Sequence, residues 1–389
     1  MWYKLSNLFD LQMGKTPSRN NPNYWNSKDY LWVSISDMSG YDKYVSSTKE
    51  YISERAVKES GIKTIPANTV IMSFKLSIGK TAITTESIFS NEAIMAFIDK
   101  KTTAIDPEYI FYLFSGKDWD EGSNKAVMGK TLNKATLSNT EVDIPSLDIQ
   151  KERVDKLNKI STLIADKKQQ LNQLDELVKA RFVEMFGGID RYISIKDSGL
   201  FIADGNYSSK YPRSSEFTSF GVPFIRANNI KDNTVVDDDM YFISPEKHDE
   251  LKKGHLLHGD ILVTTRGNIG QLGIVPQKHN NSNINAQIVL LRCRDTKYLP
   301  EYLLFALQTV DVKKQFIRQQ TGTALKQLPV KHLEKISFID APVELQNQFA
   351  TFVTQVDKSK FALRKSIISL MNLWYNINQY VCERTYGEA

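Results

Sequence analysis

Residues Gly259–Pro276 read GDILVTTRGNIGQLGIVP, and residues Ala67–Thr84 read ANTVIMSFKLSIGKTAIT. Each has an apolar run, then Ser or Thr, a basic residue, Ile-Gly, and a second short apolar run. The β-branched runs NTVIMSF and DILVTTR, bounded by turn residues, predict two short strands. Gly79 and Gly270 then mark places where the backbone turns tightly or something approaches it closely.

The likeness extends well beyond this segment. NEAI (Asn91–Ile94) matches NAQI (Asn285–Ile288), and PEYIFYLF (Pro107–Phe114) matches PEYLLFAL (Pro300–Leu307). Gly129 in MGKTLNKATL matches Gly322 in TGTALKQLPV, and LDIQKERV (Leu147–Val154) matches VELQNQFA (Val343–Ala350). The matches keep one order, and their offset stays between 191 and 196 residues. A period that long excludes a solenoid and indicates one module present twice. The two PEY segments carry Pro in the first turn and apolar residues on one face, which predicts short helices.

Each module ends in a longer helical pattern. No Pro or Gly occurs between Pro145 and Gly187. There Leu157, Ile160, Ile164, Leu171, Leu174 and Val178 follow three- and four-residue steps, with Lys167 filling one gap. After Pro342 the same steps run through Val356, Leu363, Ile367, Leu370, Trp374, Ile377 and Val381, with Lys360 in the gap. These are heptad seams, which pack lengthwise on another helix. A helix of about 35 residues spans roughly 50 Å. Two such stripes in one chain are most simply buried against each other, antiparallel, with a globular part at each end. The Gly pair in FGGID (Phe186–Asp190) stops the first helix. Lys167 and Lys360 are expected to snorkel to solvent. The predicted fold class is therefore α+β. Two similar mixed α/β domains, residues 1–146 and 187–341, are separated by two long antiparallel coiled-coil helices, residues 147–186 and 342–389, with pseudo-two-fold symmetry.

Composition narrows the function. A length of 389 residues calls for more than one core, and 41% hydrophobic with 24% charged residues is ordinary soluble composition. There is no membrane-length apolar run and no signal-type N-terminus, and Cys293 and Cys382 lack metal-type spacing. The expected location is the cytoplasm. The net charge of +5 suits a polyanion partner without requiring one. Duplex DNA has two-fold axes relating its strands, and dimeric readers bind two half-sites for that reason. A duplicated single chain does the same with ends free to read different sequences.

At this point the chain resembles the specificity subunit of type I restriction-modification systems. The resemblance is carried by FDLQMGKTPSR (Phe9–Arg19), MSFKLSIGK (Met72–Lys80), VTTRGNIGQLGI (Val263–Ile274), IPSLDIQKERV (Ile144–Val154) and APVELQNQF (Ala341–Phe349). It implies that each globular part is a target-recognition domain reading one half of a split, non-palindromic DNA site. It also implies that the helices dock two methyltransferase subunits, which restriction subunits then join. No cofactor is implied for this chain; S-adenosylmethionine and ATP belong on the partners.

A DNA reader needs cations for phosphates, and Arg, Lys, Asn, Gln, Ser or Thr to reach base edges. MGKTPSRNN offers Lys15, Thr16, Ser18 and Arg19 on a loop broken by Gly and Pro. NYSSKYPRSS offers Lys210 and Arg213, and FIRANNI offers Arg226, Asn228 and Asn229. Lys75 and Lys80, then Arg266 and Asn268, flank the repeated glycines, while Lys130, Lys134, Lys326 and Gln327 follow Gly129 and Gly322. Trp32, inside YLWVSI, is expected in the core.

Catalytic signals are weak. NPNY (Asn21–Tyr24) lacks the second Pro of the amino-methyltransferase loop, and no phosphate-binding Gly-x4-Gly-Lys-Ser/Thr segment occurs. Asp239 with ELK (Glu250–Lys252) only loosely fits a nuclease cluster. His248, His255, His258, His279 and His332 all fall in the second module, with no counterpart in the first. The reading is a non-enzymatic DNA-specificity subunit without metal. Its rival is a stand-alone DNA methyltransferase or nuclease with an unrecognised motif.

Overall fold

The computed structural model describes the chain except residues 76, 120–123, 127–128, 206–209, 324 and 384–389; side chains of 120–131 and 379–383 are also not described. The chain divides into two compact units, Met1–Gln169 with Arg364–Ala389, and Gln170–Leu363. Both long helices are shared between the units: they run Leu147–Phe186 and Val343–Glu383, 40 and 41 residues.

The first unit is built on an antiparallel sheet in the order Phe9–Met13, Ile94–Asp99, Val70–Ser73, Thr81–Ile83. The second unit has the same order: Phe201–Asp204, Ile288–Arg292, Ile261–Thr264, Leu272–Ile274. Beside it lies a three-stranded sheet, Glu50–Ile52, Tyr30–Val33 and Phe89–Ser90, matched by Tyr241–Ile243, Val222–Ile225 and Asn283–Ile284. In both, the middle strand pairs antiparallel on one side and parallel on the other. A two-stranded ribbon closes each unit: Trp2–Lys4 with Glu141–Asp143, and Tyr192–Ser194 with Ser337–Ile339. The second unit adds a hairpin, Ile230–Lys231 with Thr234–Val235, at the edge of its main sheet. Among the described residues the first has an isolated parallel bridge, Tyr44 to Ile83, at that place.

The central strands are apolar along most of their length because both faces are covered. Successive strand residues point to opposite faces. Val70 and Met72 join a core with Tyr109, Leu113, Val154 and Leu157, while Ile71 joins the opposite core with Val33, Ala82 and Ile94. In the second unit Ile261 and Val263 face Tyr302, Phe182 and Phe349, and Leu262 faces Ile225 and Ile284. The two PEY segments form the expected helices, Pro107–Gly116 and Pro300–Ala306.

The seams face inward. Leu157, Ile160, Val178, Val356 and Ile367 are buried, and Ile164, Leu171, Leu174, Leu363, Leu370, Trp374 and Ile377 half-buried. Val381 lies outside the described side chains. In the second unit the helices pair antiparallel: Phe186 and Phe182 lie 5.6 and 5.3 Å from Phe349, while Asp175 meets Lys360. The expectation that Lys360 snorkels to solvent is corrected here. It is 7% exposed and its Nζ lies 2.5 Å from Asp175 on the other helix.

Each long helix starts at a buried glutamine. Gln150 Nε2 donates to the Pro145 and Ala104 carbonyls, and its Oε1 accepts from the Asp106 amide at 2.8 Å. Gln346 Nε2 donates to Ala341, and its Oε1 accepts from the Leu299 amide at 3.0 Å. A glutamine there satisfies a donor and an acceptor that the buried turn otherwise leaves unpaired.

Candidate nucleic-acid interface

The repeated segment forms the same arch twice. Ser73 and Thr264 end their strands, and their hydroxyls donate across the arch to the Ser77 and Asn268 carbonyls. The same hydroxyls accept from the Lys80 amide at 3.1 Å and the Gln271 amide at 3.0 Å. The Gly79 and Gly270 amides donate to Ser73 and Thr264 carbonyls, each at 2.9 Å. Their φ values are +86° and +84°, and a Cβ would lie 3.0 Å from Trp119 and 3.4 Å from Phe316. Glycine is thus required by both conformation and proximity. The Ser/Thr and the Ile-Gly are the parts that hold the arch, and the residues between them are free to differ.

A following segment stands beside each arch. The Leu132 amide donates to Phe74 at 3.0 Å, and the Leu328 amide to Thr265 at 2.9 Å. In the second unit, Arg266 pairs through its backbone with Gln327, and Arg266, Asn268, Lys326 and Gln327 are all exposed. In the first unit Lys134 is exposed in a short helix, Lys134–Asn139, capped by Asn133, and Lys130 lies outside the described side chains.

A second group in the first unit gathers around Glu92. Thr16 donates to its carboxylate. That bond, with the positive charges of Lys75 and Arg19, outweighs burial and holds Glu92 below the ordinary carboxylate range. Arg19 lies over the Trp25 ring at 3.9 Å and the Trp32 ring at 4.9 Å, with Glu50 taking both ends of its guanidinium fork. Trp32 is buried, as its apolar surroundings predict, and donates to the Lys15 carbonyl at 3.2 Å. Lys15 reaches the Ser60 carbonyl, Ser18 is exposed, and Lys80 turns away to Ser39.

Other candidates have structural duties. Asn229 is the clearest correction: it is fully buried, its Nδ2 donates to Asp238 O at 2.7 Å, and its Oδ1 accepts from Arg226 N at 3.0 Å. It closes a 3-10 turn, and its side chain has no exposed surface to offer a base. Arg226 is stacked 3.5 Å over Tyr241 and held by Asp239 at 2.7 Å; Asn228 touches the same carboxylate at 3.5 Å. Lys210 lies 3.6 Å from Glu250, and the Arg213 amide donates to Glu216. Sequence reasoning missed Lys247, which joins Glu216 at 2.9 Å and Glu250 at 3.2 Å. It also missed the glycines Gly14 and Gly205, where a Cβ would lie 2.2 Å from the Asn91 and Asn285 carbonyls. The asparagines of NEAI and NAQI were the available signal. His248 bonds Asn283, and His255 bonds the Leu251 carbonyl at 2.7 Å.

These geometries can be set beside known proteins. The family described as type I restriction modification DNA specificity domain matches residues 1–176 and again 201–372. The specificity subunit of the type I restriction enzyme MjaIX of Methanocaldococcus jannaschii is 23% identical, across 95% of this chain and 89% of its own. The EcoprrI specificity subunit of Escherichia coli is 30% identical across 42% of this chain and 43% of its own. Among solved structures, a chain from work on assembly and conformational transition of the type I R-M system superposes with TM-score 0.61 at 17% identity, covering 98% of this chain and 97% of that one. The S subunit of the M. genitalium type I system gives 0.51 at 13% identity, covering 98% and 95%. The chain therefore belongs to the type I restriction modification DNA specificity domain family, with two such domains in tandem, and is a specificity component rather than a catalytic one.

Proposed function

We propose that this chain reads a bipartite, asymmetric DNA site, one half with each unit, and docks two methyltransferase subunits on its long helices. The observation that carries this reading is the four-strand order that the two units share, each with the same glycine-closed arch and different residues at its tip: Lys75 in one, Arg266 and Asn268 in the other. A shared frame with divergent tips is what two half-sites of unlike sequence require. Lys15, Thr16, Ser18, Arg19, Lys75, Lys80, Lys130 and Lys134 would serve the first half-site. Lys210, Arg213, Arg226, Asn228, Arg266, Asn268, Lys326 and Gln327 would serve the second. Phosphate contacts position the duplex, and base-edge contacts choose it.

In this reading the helices act as a spacer, and their exposed faces receive the partners. Leu177, Ala180, Arg181, Glu184 and Phe352 line a shallow apolar groove on the helix pair of the second unit. The methyltransferases flip the chosen adenine from the stack. S-adenosylmethionine and, where restriction subunits join, ATP are carried by those partners.

The test is methylation mapping with purified chain and its partner methyltransferase on random duplex. One split sequence with a fixed gap is expected; methylation indifferent to sequence refutes the reading. Methyl transfer by the chain alone favours a stand-alone enzyme.

A further inference from the structure

The two units differ at one joint. In the first unit Lys43 Nζ donates to Glu108 Oε2 at 2.8 Å and to Asn158 Oδ1. Asn158 Nδ2 donates to Glu108 Oε2 at 2.8 Å, and Tyr112 OH donates to Asn158 Oδ1 at 2.5 Å. Tyr44 OH closes the network on Glu108 Oε1. Lys43 also lies 4.8 Å from the Tyr112 ring centroid. Three elements are bound here: the loop carrying Lys43 and Tyr44, the Pro107–Gly116 helix, and the first long helix through Asn158. Burial pushes Glu108 up, but hydrogen bonds from Lys43, Tyr44 and Asn158 prevail and hold its carboxyl below the ordinary range.

The second unit has the same frame without the network. Lys43 O accepts from the Ile83 amide, and Asn233 O accepts from the Ile274 amide, both at 2.9 Å, so Asn233 stands where Lys43 does. Thr234 pairs with Ile274 as Tyr44 pairs with Ile83. The matched PEY segments put Phe305 at the place of Tyr112 and Glu301 at that of Glu108. The matched helix starts put Thr354 at the place of Asn158. Thr354 donates back to Ala350 on its own helix, and Asn233 reaches only as far as Gln308, at 2.6 Å. Every member but the glutamate has been exchanged for one that cannot bridge to the long helix.

The geometry points to Lys43, Glu108 and Asn158 as positioning residues that index the first recognition unit to the spacer helix, so that the half-site gap is enforced from this unit. This rests on the bipartite reading above. A polar network with every partner satisfied permits one arrangement, whereas apolar packing tolerates small slides. Rigid indexing makes a one-base-pair change of gap costly, since each step turns and advances the half-site.

The test uses the full chain with its partner methyltransferase. Wild type, Lys43→Met, Asn158→Ala and the control Thr354→Ala methylate duplexes whose gap is the preferred length or one base pair longer or shorter. The proposal expects Lys43→Met and Asn158→Ala to reduce gap discrimination on the order of tenfold, with half-site sequence preference retained and hydrogen exchange across residues 39–49 accelerated. Thr354→Ala should match wild type. An unchanged gap profile in Lys43→Met overturns the joint while leaving the bipartite reading intact. Loss of gap discrimination in Thr354→Ala also overturns it. A wild type indifferent to any split site refutes the bipartite reading itself, and the joint with it.

Discussion

Lys360 Nζ and Asp175 Oδ1 lie 2.5 Å apart across the seam of the two long helices, with Lys360 side chain 9% exposed and Asp175 45%. A lysine at a seam position occupies space that an apolar side chain would fill, and its charge needs an acid within reach. Asp175→Asn should destabilise the second unit by about 1–3 kcal/mol, because it leaves the buried cation with only the more distant Asp357, 3.7 Å away on its own helix. Lys360→Met should be near neutral, because methionine fills the apolar seam and the acid left behind, Asp175, is 45% exposed and stays solvated. Denaturant unfolding of both variants and the double variant checks this; equal losses for the two single variants would contradict it.

Gly79→Ala and Gly270→Ala should each cost about 1–2 kcal/mol from the left-handed backbone alone. Gly79→Ala should cost more, since its Cβ meets Trp119 at 3.0 Å where that of Gly270 meets Phe316 at 3.4 Å. Thermal unfolding measures the order of the two.

Gln150→Leu and Gln346→Leu should each lose about 1–3 kcal/mol per stranded polar group. Both side chains are fully buried and bind the amide that begins the PEY helix, Asp106 or its neighbour-equivalent Leu299. Glutamate at either place should rescue less than half of the loss, because it cannot donate to Pro145 or Ala341. Calorimetry of the variants gives the comparison.

Arg266→Ala should weaken discrimination at one position of the second half-site by about 1–3 kcal/mol, while Lys326→Ala should weaken binding to all sequences alike and lower the salt slope by about 1. Arg226→Ala should weaken binding and also destabilise the fold, because Arg226 is engaged with Asp239 and Tyr241. Titration of variant complexes against matched and mismatched duplexes at several salt concentrations separates the three.

Asp340 supplies the clearest pH dependence. Burial pushes its carboxyl up, but hydrogen bonds from Lys297 and Tyr298, with the nearby Arg191 charge, prevail and hold it below the ordinary value. The unfolded chain therefore takes up this proton first as pH falls. The stability it supplies is complete above the ordinary carboxylate range and is lost as pH drops through the lowered folded value. Asp340→Asn should flatten the acid limb of the second unit's stability curve, read as unfolding midpoint against pH.

The sequence by itself determined the duplication, the strand pair around each Ile-Gly, the PEY helices and the heptad stripes. These are local or periodic signals: a left-handed glycine, a β-branched run and a seven-residue repeat each leave their mark within a few neighbouring residues. It also placed Arg266, Asn268, Lys326 and Gln327 near matching landmarks. Only the tertiary structure decided which polar residues are free to meet a ligand. Asn228 and Asn229 are adjacent and chemically identical, yet one lies at the surface and the other is fully buried and closes a turn. Likewise, Lys43, Glu108 and Asn158 stand far apart along the chain, and the nearer of the two acids at Lys360 is Asp175 on the other helix, not Asp357 on its own. A charge's partner is set by distance in space, and nothing in a residue's own neighbourhood along the chain records it.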